Sequence, residues 1–253
     1  LCAACMSMYE TGQDRSSTFA IEPVVAANSP YDDIAPVSSS HGLFFTSNRP
    51  IGDDDRDALY LLPVGDATSG AVRLVETESL PVKTGSLSLF PDGRAVFTVQ
   101  CYRGDAVGDC DLFTGRLSAD GLRIDALRPL PAPENDIEWD HHPTLAPDGR
   151  SLVFASERFG GRGGSDLWMT ERSGDQWSLP VNLGERINTS GNEITPCFSR
   201  DGDVLYFASD AHPGMGGFDL YMTRRIDGGW SEPEPLGKPF NSNDDDIFFS
   251  GDM

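Results

Sequence analysis

The sequence predicts an all-β fold, a β-propeller built from four-stranded antiparallel blades of about 53 residues each. The first observation is an internal repeat, because the segments beginning at Pro147 and Arg200 align without a gap. The second is that the apolar runs are short and bounded by Asp-Gly or Gly-rich turn sequences. The third is that no window shows the sustained apolar spacing of a helix. A repeat of this length made of short strands is typical of propeller blades.

The repeat runs through nearly the whole chain. The two best copies share seven positions that are each 53 residues apart: Gly149/Gly202, Phe154/Phe207, Gly164/Gly217, Asp166/Asp219, Trp177/Trp230, Leu183/Leu236 and Asn188/Asn241. An aromatic residue recurs in all four copies, at Tyr60, Phe113, Trp168 and Tyr221. The chain therefore contains four repeats and the start of a fifth.

Each repeat supplies its strands in a fixed order. The segment after a recurrent proline, such as Pro143 or Pro196, forms the first strand. "SLVFAS", which follows an Asp-Gly turn, forms the second, and "DLWMT" forms the third after a Gly-rich connection. "QWSLPVNL" forms the last, since its proline is tolerated mainly on an edge strand.

These motifs resemble a known family. The succession F-S-x-D-G-x-x-L-Y-F-A-S, G-G-x-D-L-Y and W-S-x-P-x-x-L-G-x-x-x-N is similar to the propeller repeat of TolB-like envelope proteins, a distant relative of the WD repeat. The resemblance covers roughly residues 28–249 and is most specific in the last two copies. It implies a propeller that binds partners in the bacterial envelope, often beside an OmpA-like domain, which this sequence does not show. It carries no catalytic residue onto this chain.

The repeat also predicts the domain organisation. Residues 19–253 form the propeller, and residues 1–18 form an N-terminal tether or the remnant of a preceding blade. Because an open propeller leaves an unpaired sheet edge, we expect the chain to be an excerpt of a larger ring. Closure of a ring from these residues alone is the alternative.

Composition limits the partners. The chain has 19 basic and 40 acidic residues, a net charge of −21. This charge disfavours nucleic acid and anionic lipid as partners. No apolar stretch approaches the roughly 20 residues that cross a bilayer. The acidic surface attracts basic partners or cations, or serves solubility.

The cysteines bear on the compartment. Cys101 and Cys110 flank a predicted hairpin connection, where a disulfide would indicate an oxidising compartment; two reduced thiols are the alternative. "LCAAC" resembles the end of a lipoprotein signal, although Cys2 stands where leucine is usual, so Cys5 is a lipidation candidate. The alternative places residues 5–11 in a strand. Cys197 is predicted to be a core thiol.

A series of acids is the main candidate site. Asp33, Asp140, Glu193 and Asp246 each come five residues after a recurrent asparagine, and Thr84 breaks the series. Each acid stands near the first strand of its blade, which lines the channel of a propeller. The series therefore predicts a negative ring at the channel mouth that binds a partner's Lys or Arg, or a cation. The alternative is that each carboxylate caps its local turn.

Other motifs favour structural roles. The Gly-rich connections lack the features of a phosphate loop, and Asp166 and Asp219 are expected to bond to the loop backbone. The runs at 52–57 and 241–246 resemble calcium loops in composition alone. His141 and His142 are expected on opposite faces of a strand, which makes them a poor metal pair. No metal site and no nucleophile motif is predicted.

We therefore predict a non-catalytic protein-binding or scaffolding propeller of the periplasm or cell envelope, with lipid anchoring through Cys5 as an option. Its partner would be an envelope protein or a peptidoglycan-associated one, and no cofactor is expected, with Ca²⁺ as the alternative. One alternative is an enzyme, either a propeller glycosidase or the propeller of a prolyl-oligopeptidase-like peptidase. The other is a calcium-stabilised structural propeller.

Overall fold

A computed structural model describes the backbone of residues 6–11, 18–52, 57–65, 71–77, 83–90, 92–103, 106–130, 139–174 and 176–250. Within these ranges, side chains are described from residue 23 onward, except at 83, 100–103 and 106–109. All regular structure in these ranges is β. They contain no helix of the length and apolarity needed to cross a membrane.

The strands of the first half are as follows. They are β1 (Met6–Thr11), β2 (Thr18–Pro23), β3 (Asp33–Ser39), β4 (Gly42–Ser47), β5 (Ala58–Pro63), β6 (Arg73–Leu74), β7 (Glu76–Thr77), β8 (Lys83–Leu89), β9 (Arg94–Arg103), β10 (Ala106–Leu117) and β11 (Arg123–Pro129). β1 and β2 form an antiparallel hairpin. The interpretation of residues 1–18 as a tether or blade remnant stays a prediction.

The second half contains two matching sets of strands. They are β12 (Asp140–Leu145), β13 (Ser151–Ser156), β14 (Asp166–Ser173), β15 (Gln176–Trp177), β16 (Val181–Asn182), β17 (Glu193–Phe198), β18 (Val204–Ser209), β19 (Asp219–Ile226), β20 (Gly229–Trp230) and β21 (Glu234–Pro235). The last predicted strand is thus split in two. β15 and β16 both pair with β14, and β20 and β21 both pair with β19.

Four antiparallel sheets form the blades of a propeller, as predicted. Blade 1 is β3–β6, blade 2 is β8–β11 with β7 added in parallel, blade 3 is β12–β16 and blade 4 is β17–β21. The first strand of each blade is the inner one. Neighbouring inner strands contact one another in chain order, from β3 to β8, β12 and β17.

Apolar side chains fill the spaces between blades. Phe44 and Phe97 join blades 1 and 2, and Val96 joins blade 2 to Phe154 of blade 3. Every residue of β13 and β18 is buried. This two-sided burial explains why the corresponding sequence runs are continuously apolar rather than alternating. Each large side chain so buried contributes about 1.5–3 kcal/mol.

The inner strands share a bulge that the sequence did not predict. The residue two positions after each acid has a positive φ: Ala35 (51°), His142 (50°), Thr195 (49°) and Phe248 (62°). In β3, β12 and β17 the register shifts at this point. A recurrent proline follows in blades 1, 3 and 4. Because a bulge bends a strand and redirects its side chains, it places new groups toward the space among the inner strands.

Hydroxyl groups join successive inner strands. The backbone N–H of Leu145 donates to Ser88 Oγ at 3.0 Å, and that of Phe198 donates to Thr144 Oγ1 at 3.3 Å. The N–H of Phe248, in the segment after blade 4, donates to Thr195 Oγ1 at 3.4 Å. Each bond connects a blade with the following blade or segment, so the inner strands are held by side chains as well as by packing.

Candidate functional site

A central cavity of about 350 Å³ lies among the inner strands of the four blades. Its lining combines prolines, hydroxyl groups and aromatic rings, including Pro36, Ser86, His142, Thr195 and Phe248. The last three of these residues have a positive φ, and His142 and Thr195 lie in the bulges of β12 and β17. The surface is therefore mainly apolar, with hydroxyl and imidazole groups as hydrogen-bonding partners.

The acids of the predicted ring lie beside this lining. Asp33, Asp140 and Glu193 open β3, β12 and β17, and these residues are 2%, 0% and 0% exposed. Asp246 is half-buried after blade 4. Thr84, the break in the series, is buried in β8.

Asp33, Glu193 and Asp246 accept hydrogen bonds from the turns that precede them, whereas residues 131–138, before Asp140, lie outside the described residues. The N–H groups of Ser29, Thr189 and Ser242 donate to Asp33, Glu193 and Asp246 at 2.6, 2.7 and 2.5 Å. These are the bonds that the turn-capping alternative describes. A binding role stays a prediction, and a partner's Lys or Arg would have to compete with these internal donors.

In blades 1 and 3 an arginine binds the acid. Arg49 NH2 lies 2.6 Å from Asp33 Oδ1, and Arg158 NH2 lies 2.7 Å from Asp140 Oδ1. Arg49 also stacks over the ring of Tyr60 at 5.0 Å. Hydrogen bonds from Ser47, Arg49 and Ser29 outweigh the desolvation that would raise the pKa of Asp33, so this pKa is lowered.

Blade 4 replaces the arginine with neutral donors. Glu193 accepts hydrogen bonds from the hydroxyls of Thr189 and Ser209, both at 2.7 Å. His212 takes the arginine's place, with Nε2 2.9 Å from Ile187 O. Desolvation is the largest influence on the pKa of Glu193 and raises it, despite these hydrogen bonds.

His141 and His142 lie together, so the expectation of opposite faces was wrong. Their Nδ1 atoms are 2.8 Å apart, because the positive φ of His142 breaks the strand alternation. His141 Nε2 lies 3.2 Å from Ser165 Oγ, and the ring of His142 lies 5.2 Å from that of Phe248. Burial lowers the pKa of His141 to about 4 and holds that of His142 well below its ordinary value.

The Gly-rich connections have the predicted structural role. Asp166 accepts from the N–H groups of Arg162 and Gly163 at 2.6 and 3.1 Å, and Asp219 accepts from those of Met215 and Gly216 at 2.7 and 3.0 Å. The two loops thus fold around the carboxylate that opens the third strand.

The described ranges hold no group of three His, Cys, Asp or Glu side chains arranged for a metal ion. In the run 241–246, Asp245 accepts from Phe218 N–H at 3.0 Å and Asn241 from Leu220 N–H at 2.9 Å. Residues 53–56 of the other acidic run lie outside the described residues. Binding of Ca²⁺ is untested.

The cysteine predictions also remain untested. Cys5 and the side chain of Cys101 lie outside the described residues, while Cys110 is buried in β10. The disulfide and the lipid anchor therefore stay predictions. Cys197 is half-buried rather than fully buried and forms part of the cavity lining.

Sequence reasoning missed the arginines that hold the acids. Arg49 and Arg158 each follow, by two positions, the serine that ends the second strand of their blade. The S-x-R pattern was therefore present in "SNR" and "SER". The pattern is absent from "SDAHP" in blade 4, so it does not recur in every repeat.

Comparison with known proteins identifies the fold. No protein-family model matches the chain, and no curated protein matches it. TolB from Acinetobacter baumannii is 15% identical, with a TM-score of 0.54 over 86% of this chain and 46% of its own length. A protein assigned as TolB from Agrobacterium tumefaciens is 20% identical, with a TM-score of 0.53 over 92% of this chain and 75% of its own.

An enzyme shares the architecture. The α-L-arabinofuranosidase from Lactobacillus brevis is 13% identical, with a TM-score of 0.57 over 84% of this chain and 75% of its own length. The chain spans about half the length of the first TolB structure. At these identities the similarity establishes a TolB-like β-propeller fold.

Proposed function

We propose that the protein is a non-catalytic, partner-binding propeller of the bacterial periplasm or cell envelope. The observation that carries this proposal is the commitment of the ionisable groups around the cavity to the scaffold itself. Asp33 and Asp140 bind arginines, Glu193 binds hydroxyls, and His141 bonds to His142. Such a ring is suited to presenting a fixed surface rather than to transferring protons.

The charge and the cavity favour one kind of partner. A net charge of −21 favours a partner with a basic contact segment, because opposite charge speeds association. The cavity of about 350 Å³ admits a few side chains and not a whole domain. We therefore infer a basic segment of an envelope or peptidoglycan-associated protein that inserts a small apolar anchor.

The test is capture of a partner from a bacterial envelope extract, identified by mass spectrometry. Wild type is compared with Ser38→Trp, which fills the cavity from an exposed lining position of β3. Ser173→Trp, an exposed serine at the end of β14, is the matched control. The proposal predicts that wild type and control capture the same protein and that Ser38→Trp loses it.

A second variant examines the acid series. It carries Asp33→Asn, Asp140→Asn, Glu193→Gln and Asp246→Asn, and its folding is checked by circular dichroism. Capture retained by this variant assigns the acids to turn capping alone. If neither wild type nor any variant captures a partner from the extract, the binding proposal is contradicted.

Glycoside hydrolysis is the alternative favoured by the shared fold of the arabinofuranosidase. A glycosidase needs two carboxyl groups that flank the scissile bond. An assay with an aryl α-L-arabinofuranoside examines this alternative directly. Turnover by wild type that Glu193→Gln abolishes would replace the binding proposal, and we expect none above the blank.

A structural calcium role is tested separately by thermal unfolding. A melting temperature that rises with millimolar Ca²⁺ and falls with chelator would support it. This measurement does not affect the binding proposal.

A further inference from the structure

A groove of about 700 Å³ lies between blades 2 and 3, away from the central cavity. Four arginines line it: Arg94, Arg116, Arg128 and Arg172. None of its described lining residues is acidic. This composition is unusual in a chain with 19 basic and 40 acidic residues, where an unselected surface would be negative.

The sheet of blade 2 concentrates the positive charge. Arg94 of β9 and Arg116 of β10 are directly opposite each other in the antiparallel register. Arg128 of β11 is opposite Thr114, which is two residues before Arg116. Like charges that face each other across a sheet are destabilising. The repulsion between Arg94 and Arg116 therefore opposes folding in the ligand-free protein, while the ion pair of Arg94 with Asp92 and the position of Asp125 opposite Arg116 act in the other direction.

Aromatic rings orient two of the guanidinium groups. Arg94 lies over the ring of Phe90 at 4.2 Å, and Arg172 lies over that of Trp177 at 5.9 Å. Stacking fixes the plane of a guanidinium while its N–H groups remain in that plane, where they match the oxygens of a phosphate or carboxylate. The rings also give the groove an apolar floor.

Neighbouring carboxylates offset the charge of Arg94, which forms an ion pair with Asp92, and leave most of the charge on Arg116 and Arg128. Asp92 accepts from Arg94 Nε at 2.8 Å, and the backbone N–H of Arg94 is the first cause of the lowered pKa of Asp92. Asp125, which faces Arg116 across the sheet, pairs with Arg123 at 2.7 Å. Among the described residues, no carboxylate is within ion-pair distance of Arg116 or Arg128.

We propose that this groove binds a small molecule that carries two or more phosphate or carboxylate groups. Arg116 and Arg128, both exposed, provide the charge, and the stacked Arg94 and Arg172 orient the oxyanions. The apolar floor formed by Phe90 and Trp177 holds the less polar part of the ligand. This site is separate from the central cavity and does not depend on the partner proposed above.

The test is isothermal titration of the whole chain with inorganic tripolyphosphate and, in a second arm, with citrate at matched ionic strength. The groove variant is Arg116→Gln with Arg128→Gln. Its control is Arg162→Gln with Arg224→Gln, which makes the same charge change at exposed positions outside the groove. Because the variant removes two charged hydrogen-bond donors from the groove, we expect at least about tenfold weaker binding in the groove variant alone.

Thermal unfolding gives a second readout. Without ligand, Arg116→Gln should raise the melting temperature, since it relieves the repulsion from Arg94; a purely structural role for Arg116 would lower it. Tripolyphosphate should raise the melting temperature of wild type and control. Citrate is tested in the same way. The anion that binds more tightly and raises the melting temperature more shows whether the groove prefers phosphate or carboxylate groups.

Three results would overturn the proposal. The first is that wild type binds neither anion, and the second is that the groove and control variants weaken binding equally. The third is that poly-glutamate binds the groove while both small anions do not, which would assign the groove to an acidic peptide.

Discussion

Arg158 donates a hydrogen bond from NH2 to the buried carboxylate of Asp140 at 2.7 Å, and the two side chains are 8% and 0% exposed. Such a pair places two charges in a medium that solvates neither of them well. Removing one member of the pair should therefore change the free energy of unfolding more than removing both members together.

Removing one member of this pair should be strongly destabilising. We expect Arg158→Leu to lower the free energy of unfolding by about 3–5 kcal/mol, because it leaves a buried carboxylate uncompensated. Urea denaturation measures the change. The control is Asp140→Leu with Arg158→Met, which removes both charges and should recover much of the loss. If the free energy of unfolding of Arg158→Leu is within about 1 kcal/mol of the wild-type value, the pair is not buried in solution.

Asn188 should be essential to blade 3. Its side chain accepts from Leu167 N–H at 2.8 Å and donates to Leu167 O at 2.9 Å, and it is fully buried. We expect Asn188→Ala to cost about 1–3 kcal/mol, since the buried N–H of Leu167 loses its partner, while the carbonyl of Leu167 keeps the N–H of Leu183 at 3.0 Å. Asn243→Ala, at an exposed position, is the control and should change the denaturation midpoint little. Equal effects of the two variants would contradict this role.

The histidine pair should make stability depend on pH. The folded-state pKa of His141 is lowered from 6.5 to about 4, and that of His142 is also lowered. Below pH 6.5 the unfolded chain binds more protons, so the free energy of unfolding falls as pH drops toward 4. The limiting slope is about 1.4 kcal/mol per pH unit for each histidine.

Denaturation of wild type and of His141→Asn with His142→Asn, at pH 7.5 and 5, isolates this effect. Asparagine tolerates the positive φ at position 142. Glu193, whose pKa is raised, acts in the opposite direction but is present in both proteins. Identical pH profiles would mean that the pair is solvated or already protonated.

Gly163 should not accept a side chain. A Cβ at this position would overlap the carbonyl oxygen of Gly191, and the equivalent Gly216 would overlap that of Asp244. We expect Gly163→Ala to destabilise by about 1–3 kcal/mol, because backbone must move. Gly174→Ala, where a Cβ meets nothing within 4 Å and only the φ of 64° is strained, should cost less. Thermal unfolding compares the two, and a reversed order would contradict the close approach.

The repeat was sufficient to predict the propeller and the roles of its Gly-rich loops. Asp166 and Asp219 are local to their loops, so turn chemistry alone predicted their bonds. The split of the last strand was less accessible. It occurs because Pro180, which has no N–H to donate, lies between β15 and β16. Between these two short strands, the N–H of Ser178 donates to the carbonyl oxygen of Glu171 in β14 at 2.8 Å.

Features that depend on register were missed. A strand pattern places His141 and His142 on opposite faces, yet one bulge residue brings their rings together. Likewise, the pairing of Asp33 with Arg49 and the alignment of Arg94 with Arg116 require knowledge of which residues face each other. Period and composition carry no such information, because a shift of one position moves every side chain to the other face.

The hydroxyl bonds between inner strands have a mechanical consequence. Ser88, Thr144 and Thr195 hold the following blade or segment through side chains, so a substitution such as Thr144→Val would loosen one seam of the ring without altering either sheet. The angle between neighbouring blades can therefore change by point mutation alone. We therefore expect substitutions at these hydroxyls to change the width of the central cavity in small steps, while each blade keeps its own fold.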